Sequence, residues 1–307
     1  MTKVFIDGSA GTTGLRIYDR LKARPELELV TLPAALRKDP NARRDAINSA
    51  DVAFFCLPDA AAVESAALVE SEHVAVIDTS TAHRVNPDWE YGFPELGGRK
   101  ARIQNARRVA NPGCHASGFI VLVEPLVRAG LLRPDAALTC FSVTGYSGGG
   151  KAMIAEYEAD GRAGKYDAPR QYGLPQQHKH LKEMVQISGL ETAPVFCPVV
   201  ADYYSGMCVT VPVFAKDLNG TVADVKALYR DCYHGPVVRY SETPDDDGLA
   251  GANALSGRDD MEVIVSGNEE RLLLISRFDN LGKGASGAAI QNMNLLLGLE
   301  ETTGLIL

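Results

Sequence analysis

The strand-like run Lys3-Val4-Phe5-Ile6-Asp7 passes directly into Gly8-Ser9-Ala10-Gly11-Thr12-Thr13-Gly14, and apolar residues from 15 to 21 then recur at helical spacing. A strand, a glycine loop and a helix in immediate succession narrow the possible folds at once. Glycines permit positive φ and let backbone N–H groups approach a ligand, while the next helix presents its positive end to a phosphate. The spacing is GxxGxxG and not the common GxGxxG, so the rival reading is a structural glycine turn. The strand-loop-helix setting favours a dinucleotide loop formed by Gly8, Ser9, Ala10, Gly11, Thr12, Thr13 and Gly14.

The rest of the first 110 residues keeps the same rhythm. Strands are expected at 3–6, 27–32, 52–56 and 74–78, with helices at 13–23 and 60–71, which is the pattern of a doubly wound, Rossmann-type α/β sheet. Past residue 114 the pattern becomes β-rich, with strands at 137–144, 195–200, 207–213, 237–240, 263–266 and 272–278. Helices fit at 153–159, 181–188 and 222–233, the last capped by Thr221. An α+β domain with a mixed, largely antiparallel sheet follows from this. Polar stretches 160–177 and 242–248 read as surface loops. The expected domains are a nucleotide domain over 1–113 and a catalytic domain over 114–284, with 285–307 packing back on the first as a helix.

Composition excludes several function classes. A formal net charge of -8 argues against a broad basic face, so nucleic acid and anionic membranes are poor partners. The six cysteines show no CxxC pair and no disulfide-scaffold density, which fits a reducing cytoplasm. No leader pattern opens the chain, and no apolar run is long enough to span a bilayer, so a cytoplasmic location is expected.

One cysteine stands apart by its setting. Asn111-Pro112-Gly113-Cys114 precedes the amphipathic run 119–132, placing a thiol where a turn becomes a helix. Unpaired N–H groups and the positive dipole end at such a point favour a thiolate nucleophile. A thiol nucleophile needs a proton acceptor, and Gln177-His178-Lys179-His180-Leu181-Lys182-Glu183 supplies candidates in His178 and His180. Only one of them is expected to serve. Glu183 either orients an imidazole or sits in a first helical turn as a favourable charge. The rival reading of the HxH pair is a metal site, but no ligand set with zinc spacing accompanies it, and none is expected.

Other residues suit anions. Arg37 and Lys38 follow the second strand where an NAD site carries an acidic residue, so they are read either as holding a 2′-phosphate or as solvated surface cations. Asp78-Thr79-Ser80-Thr81-Ala82-His83-Arg84 offers hydroxyls and a guanidinium, and Tyr146-Ser147-Gly148-Gly149-Gly150-Lys151 offers backbone donors ending in a cation. Each of these is also readable as a plain turn.

Taken together, NPGC, the HxHxxE cluster, Ser-Gly-Gly-Gly-Lys and the segment Asp279-Asn280-Leu281-Gly282-Lys283-Gly284-Ala285-Ser286-Gly287 resemble the shorter form of the N-acetyl-γ-glutamyl-phosphate reductases. The likeness spans nearly the whole chain. One departure is visible, because an aromatic followed by Thr-Gly is familiar after the cysteine and this chain has His115-Ala116-Ser117-Gly118. The resemblance implies NADPH-dependent reduction of an acyl phosphate in arginine synthesis, through a thioester on Cys114. It further implies Ser80, Asn280 and Lys283 toward the cofactor, and Arg84 first, then Lys151 with Ser147 and Gly148, toward the substrate phosphate. A homo-oligomer is expected on the same ground. The nearest rivals are reductases of aspartyl phosphate or of a carrier-bound aminoadipyl phosphate, and a rival from another class is a non-catalytic NADPH sensor.

Overall fold

The computed structural model describes residues 1–243 and 248–307, so the centre of the acidic turn at 242–248 lies outside the described residues. The chain forms two compact units, which we treat in turn. The first comprises residues 1–94, 98–112 and 285–305, and the second 95–97, 113–284 and 306–307.

In the first unit β1 (Thr2–Asp7), β2 (Leu27–Val30), β3 (Val52–Phe55), β4 (Ala75–Asp78), β5 (Glu90–Tyr91) and β6 (Arg108–Ala110) form one sheet, ordered β2-β1-β3-β4-β6-β5. All its pairings are parallel. Every residue of β3 and of β4 is buried, as befits strands covered on both faces. Val4 and Ile6 pack on one side with Ile17 of α1 (Thr12–Leu21), and Phe5 packs on the other with Ile47 of α2 (Pro40–Ser49). The sequence reading missed α2 because its exposed face is strongly polar and only Arg43, Ala46 and Ile47 are buried. Strands β5 and β6 are too short to show a period. The helix expected at 60–71 is α3 (Asp59–Ala67), and α4 (Arg99–Gln104) was not anticipated. The terminal helix joins this unit's core through Ala289, Ile290 and Met293.

The second unit is built on a seven-stranded mixed sheet. Its strands are β7 (Thr139–Gly145), β8 (Arg170–Gln171), β9 (Val195–Ala201), β10 (Met207–Phe214), β11 (Val238–Ser241), β12 (Met261–Gly267) and β13 (Arg271–Phe278), ordered β11-β12-β13-β10-β7-β9-β8. The β11/β12 and β7/β9 pairs are parallel and the others antiparallel. The loop at 160–177 is not wholly a surface loop, as had been expected. It contributes β8, and its Tyr166 packs with Tyr157 and Val200, because three apolar rings and stems outweigh the polar composition around them.

Helix α5 (Cys114–Arg128) crosses this unit, and the expectation of an amphipathic helix is corrected. Residues His115 to Val123 are all buried, so both sides of the helix face protein. Ser276 Oγ donates to the Gly118 carbonyl at 2.9 Å, and Tyr233 Oη donates to that of Val121 at 2.6 Å. Tyr229 and Tyr233 belong to or flank α8 (Val222–Cys232), which opens with a capping box of Thr221 and Asp224. A Cβ at Gly118 would collide with Val209 and lie 2.9 Å from Phe278, so the close approach of helix and sheet requires glycine. Gly118→Ala is expected to destabilise the protein by about 1–3 kcal/mol through overpacking, read as a lower urea midpoint with an unchanged m-value.

Candidate active site

The glycine loop of the first unit divides its work among its glycines. Gly8 has φ +85°, and a Cβ there would strike the Cys56 carbonyl oxygen. Gly14 sits against the Gly8 carbonyl in the first turn of α1, where a side chain has no room. Gly11 is the N-cap, and no side chain caps the helix, so its first-turn N–H groups remain suited to a phosphate. Asp7, just before the loop, is buried and accepts from Arg43 Nε at 3.0 Å and from Ser65 Oγ at 2.9 Å. Beside the loop lies a cavity of about 230 Å³ bordered by Gly8, Ser9, Ala10, Thr31, Arg37 and Lys38. The residues fit a dinucleotide: a cradle closed to Cβ atoms, an uncapped helix end, and two cations where an acidic residue would select NAD.

Ser80 and Arg84 also belong to this unit. Ser80 Oγ donates to Asp78 Oδ2 at 2.7 Å, and Arg84 donates to the carbonyls of Asn111 at 2.9 Å and Thr79 at 3.0 Å. His83, without any supporting sequence pattern, bonds Asp78 at 2.6 Å and stacks on Trp89 at 4.1 Å. These bonds fix the loop after β4.

In the second unit the structure gathers the candidate catalytic groups around the start of α5. Cys114 is the first helical residue and Gly113 its N-cap, with no side chain capping the helix. Glu183, in the first turn of α7 (Leu181–Ser188), is 1% exposed and accepts the Gly113 N–H at 3.2 Å. Its other oxygen lies 3.9 Å from His180 Nε2. The carboxylate thus lies in the first turn of α7 and within ion-pair distance of one imidazole. The rings of His178 and His180 are 4.7 Å apart, because the turn before α7 folds them together, and His178 Nδ1 accepts the His180 N–H at 3.3 Å. Burial, aided by Lys179, pulls the His178 pKa below its usual value.

His115, which the sequence marks only as a departure after the cysteine, and two aromatic residues that it does not single out complete the cluster. His115 stands 5.9 Å from His178 and 5.7 Å from His180, ring to ring, and Tyr172 and Phe196 pack on the same group. Tyr172 is near enough to Cys114 for a thiolate to help raise the phenol pKa, with burial the larger cause. The only sequence signal for Tyr172 was an aromatic ring six residues before His178 in an otherwise polar stretch.

The glycine turn and the Asp279–Gly284 segment support the thiol from another side. Asn280 accepts from the Gly206 N–H at 2.8 Å and donates to Ser147 Oγ at 3.0 Å, and a Cβ on Gly148 would lie 3.4 Å from the same amide. Lys283 is buried on Glu95 at 2.8 and 2.9 Å. Thus Asn280 and Lys283, read from sequence toward the cofactor, have internal partners. A Cβ on Gly284 would sit 2.9 Å from the Cys114 Cβ, so this backbone lies directly against the thiol residue. Lys151 is exposed in the first turn of α6 (Gly150–Glu158). Among the described residues no group of three or more His, Cys, Asp or Glu is arranged to hold a metal ion, and no helix is long and apolar enough to cross a membrane.

A parallel nucleotide sheet joined to a mixed-sheet unit bearing a helix-terminal thiol defines a class of oxidoreductases. The sequence profile described as semialdehyde dehydrogenase, NAD binding domain matches residues 35–105, and that described as semialdehyde dehydrogenase, dimerisation domain matches 114–280. Solved aspartate semialdehyde dehydrogenases share the fold. The Vibrio cholerae enzyme II, complexed with ASA, has a TM-score of 0.70 at 18% identity, covering 97% of this chain and 98% of its own. The Francisella tularensis enzyme has a TM-score of 0.71 at 15% identity, covering 97% of this chain and 100% of its own.

Curated relatives are more similar in sequence. N-acetyl-gamma-glutamyl-phosphate reductase 2 of Pseudomonas putida is 46% identical over 98% of both chains. That of Nostoc sp. is 43% identical over 99% of both. The chain belongs to the N-acetyl-γ-glutamyl-phosphate reductases, within the semialdehyde dehydrogenase family.

Thiol chemistry separates the cysteines. Desolvation pushes Cys56 up to about 12 and raises the buried Cys140 as well, whereas Cys114 opens an uncapped helix. Iodoacetamide at mildly alkaline pH is expected to alkylate Cys114 well before Cys56 or Cys140, as read by peptide mass mapping over time.

Proposed function

We propose that the protein reduces N-acetyl-γ-glutamyl phosphate to N-acetyl-L-glutamate 5-semialdehyde and phosphate with NADPH, a step of arginine synthesis. The observation that carries this reading is Cys114 at the N-terminus of a buried helix, with the His178/His180 pair gathered in the same unit. The full-length likeness to reductases of that name supports the choice of substrate.

The residues support the following chemistry. One imidazole of the pair accepts the thiol proton, and the Cys114 sulfur attacks the acyl carbon. The carbon–oxygen bond to phosphate breaks, the proton passes to the departing phosphate, and a thioester remains on Cys114. When bound, NADPH supplies the hydride that reduces this thioester. Collapse of the thiohemiacetal oxyanion releases the aldehyde and returns the thiolate. First-turn N–H groups of α5 stabilise the oxyanions in both halves. Glu183 holds the Gly113 turn and the His180 ring in place.

The first unit takes the cofactor, with the loop from Gly8 to Gly14 at the pyrophosphate and Arg37 with Lys38 at the 2′-phosphate. Internal bonds fix Ser80, Asn280 and Lys283, so they serve the cofactor by holding loops and not by reaching toward it. Arg84, pinned by two carbonyls, is the first candidate for the substrate phosphate, and Lys151 with the Ser147-Gly148 turn is the second. A homo-oligomer is supported by the dimerisation-domain match and by apolar side chains left exposed on the second sheet, including Phe141, Val195 and Leu273.

Cys114→Ser is expected to abolish turnover while NADPH binding persists, measured by NADPH oxidation and by cofactor fluorescence. Retention of every function in that variant would establish a sensor instead, and turnover confined to aspartyl phosphate would reassign the substrate. If His178 is the base, activity falls on acidification through a pKa below the ordinary histidine value, because protonation removes the base. His178→Asn then loses that acidic limb of the kcat/KM profile, whereas its persistence assigns the role to His180. Phe141→Glu is expected to shift the sedimentation coefficient toward the monomer.

A further inference from the structure

The protons around His115 have one consistent arrangement. This imidazole, 3% exposed, lies between Ser142 Oγ at 2.7 Å from Nδ1 and Tyr172 Oη at 2.6 Å from Nε2. A neutral ring offers one N–H and one lone pair, so it must donate on one side and accept on the other. Burial, reinforced by His178, lowers the His115 pKa to about 3, which keeps the ring neutral near neutral pH.

Ser142 decides which side donates. Its hydroxyl is fully buried on β7, and its partner among the described residues is His115 Nδ1. Were Nδ1 protonated, Ser142 would have to accept, and its own proton would be buried without an acceptor, an arrangement costlier than the bond it keeps. Ser142 therefore donates to Nδ1, and the ring proton sits on Nε2. Nε2–H then donates to the Tyr172 oxygen. The phenol proton is thereby not taken by His115, and the Tyr172 hydroxyl makes no other hydrogen bond among the described residues. It stays on the oxygen, since burial and a Cys114 thiolate both oppose its loss.

We propose that His115 is a positioning residue which, with its proton fixed on Nε2 by Ser142, makes Tyr172 a hydrogen-bond donor to the substrate oxygen at Cys114. The role toward substrate rests on the acyl-phosphate reading above, but the direction of the hydrogen bonds does not. It also gives a task to His115, which stands where an aromatic residue is familiar after the cysteine.

The test uses full-length protein with 15N-labelled histidine and no ligand, with the His115 resonances assigned by their loss in His115→Asn. Two-bond 15N–1H spectra between about pH 6 and 8 are expected to show the Nε2–H tautomer, and Ser142→Ala to shift it toward Nδ1–H. An Nδ1–H ring or an imidazolium in the wild type overturns the proposal, even if the variants fail to fold. In turnover, Tyr172→Phe is expected to lower kcat about 100-fold and Ser142→Ala about tenfold, with KM nearly unchanged. The double variant should be no slower than Tyr172→Phe, and multiplying losses would break the link. A correct tautomer without turnover of N-acetyl-γ-glutamyl phosphate would sink the substrate reading alone.

Discussion

Burial of α5 on the second sheet is the constraint from which the chemistry follows. A helix enclosed along its first turns has no polar face to offer, so a reagent can meet it only at an end. The N-terminal end is where the backbone leaves N–H groups without intrahelical acceptors, and Cys114 opens that end. Gly118 lets the helix lie close on β10 and β13, and hydroxyls of α8 tyrosines hold its inner carbonyls. The thiol is therefore held on a rigid element and not on a loop, which suits a nucleophile that must meet an acyl carbon in one geometry.

The surroundings of the thiol include polar groups withdrawn from water and tied to partners. Glu183 bonds Gly113, Asp279 accepts from Ser205 and from the Gly257 and Leu281 N–H groups, and Lys283 pairs with Glu95. Such groups are costly to bury unless paired, and once paired they are hard to move. The same logic applies in the first unit, where Asp7, Arg43 and Ser65 form a closed set next to Gly8. The glycine loop and the Cys114 turn are thus braced by buried, paired side chains.

Much of this was legible in the chain. The glycine loop, the parallel rhythm, the thiol before a helix and the histidine pair all declare themselves over short spans, where local geometry and side-chain chemistry suffice. The polar helix α2 and the short strands β5 and β6 did not, since a period needs several residues to appear. Nor did the burial of α5 on all sides from His115 to Val123, because apolar content cannot say whether a second face will be covered.

Local sequence therefore marked the candidate groups: a thiol at a helix start, two imidazoles two residues apart, and glycines that only a tight loop would use. Assembly of distant segments fixed what each group is bonded to. His115 acquires its hydrogen-bond partners from Ser142, 27 positions away, and from Tyr172, 57 positions away. Glu183 reaches the Cys114 turn across 70 positions. Hydrogen-bond direction and burial are properties of neighbours in space, and no spacing rule along the chain contains them.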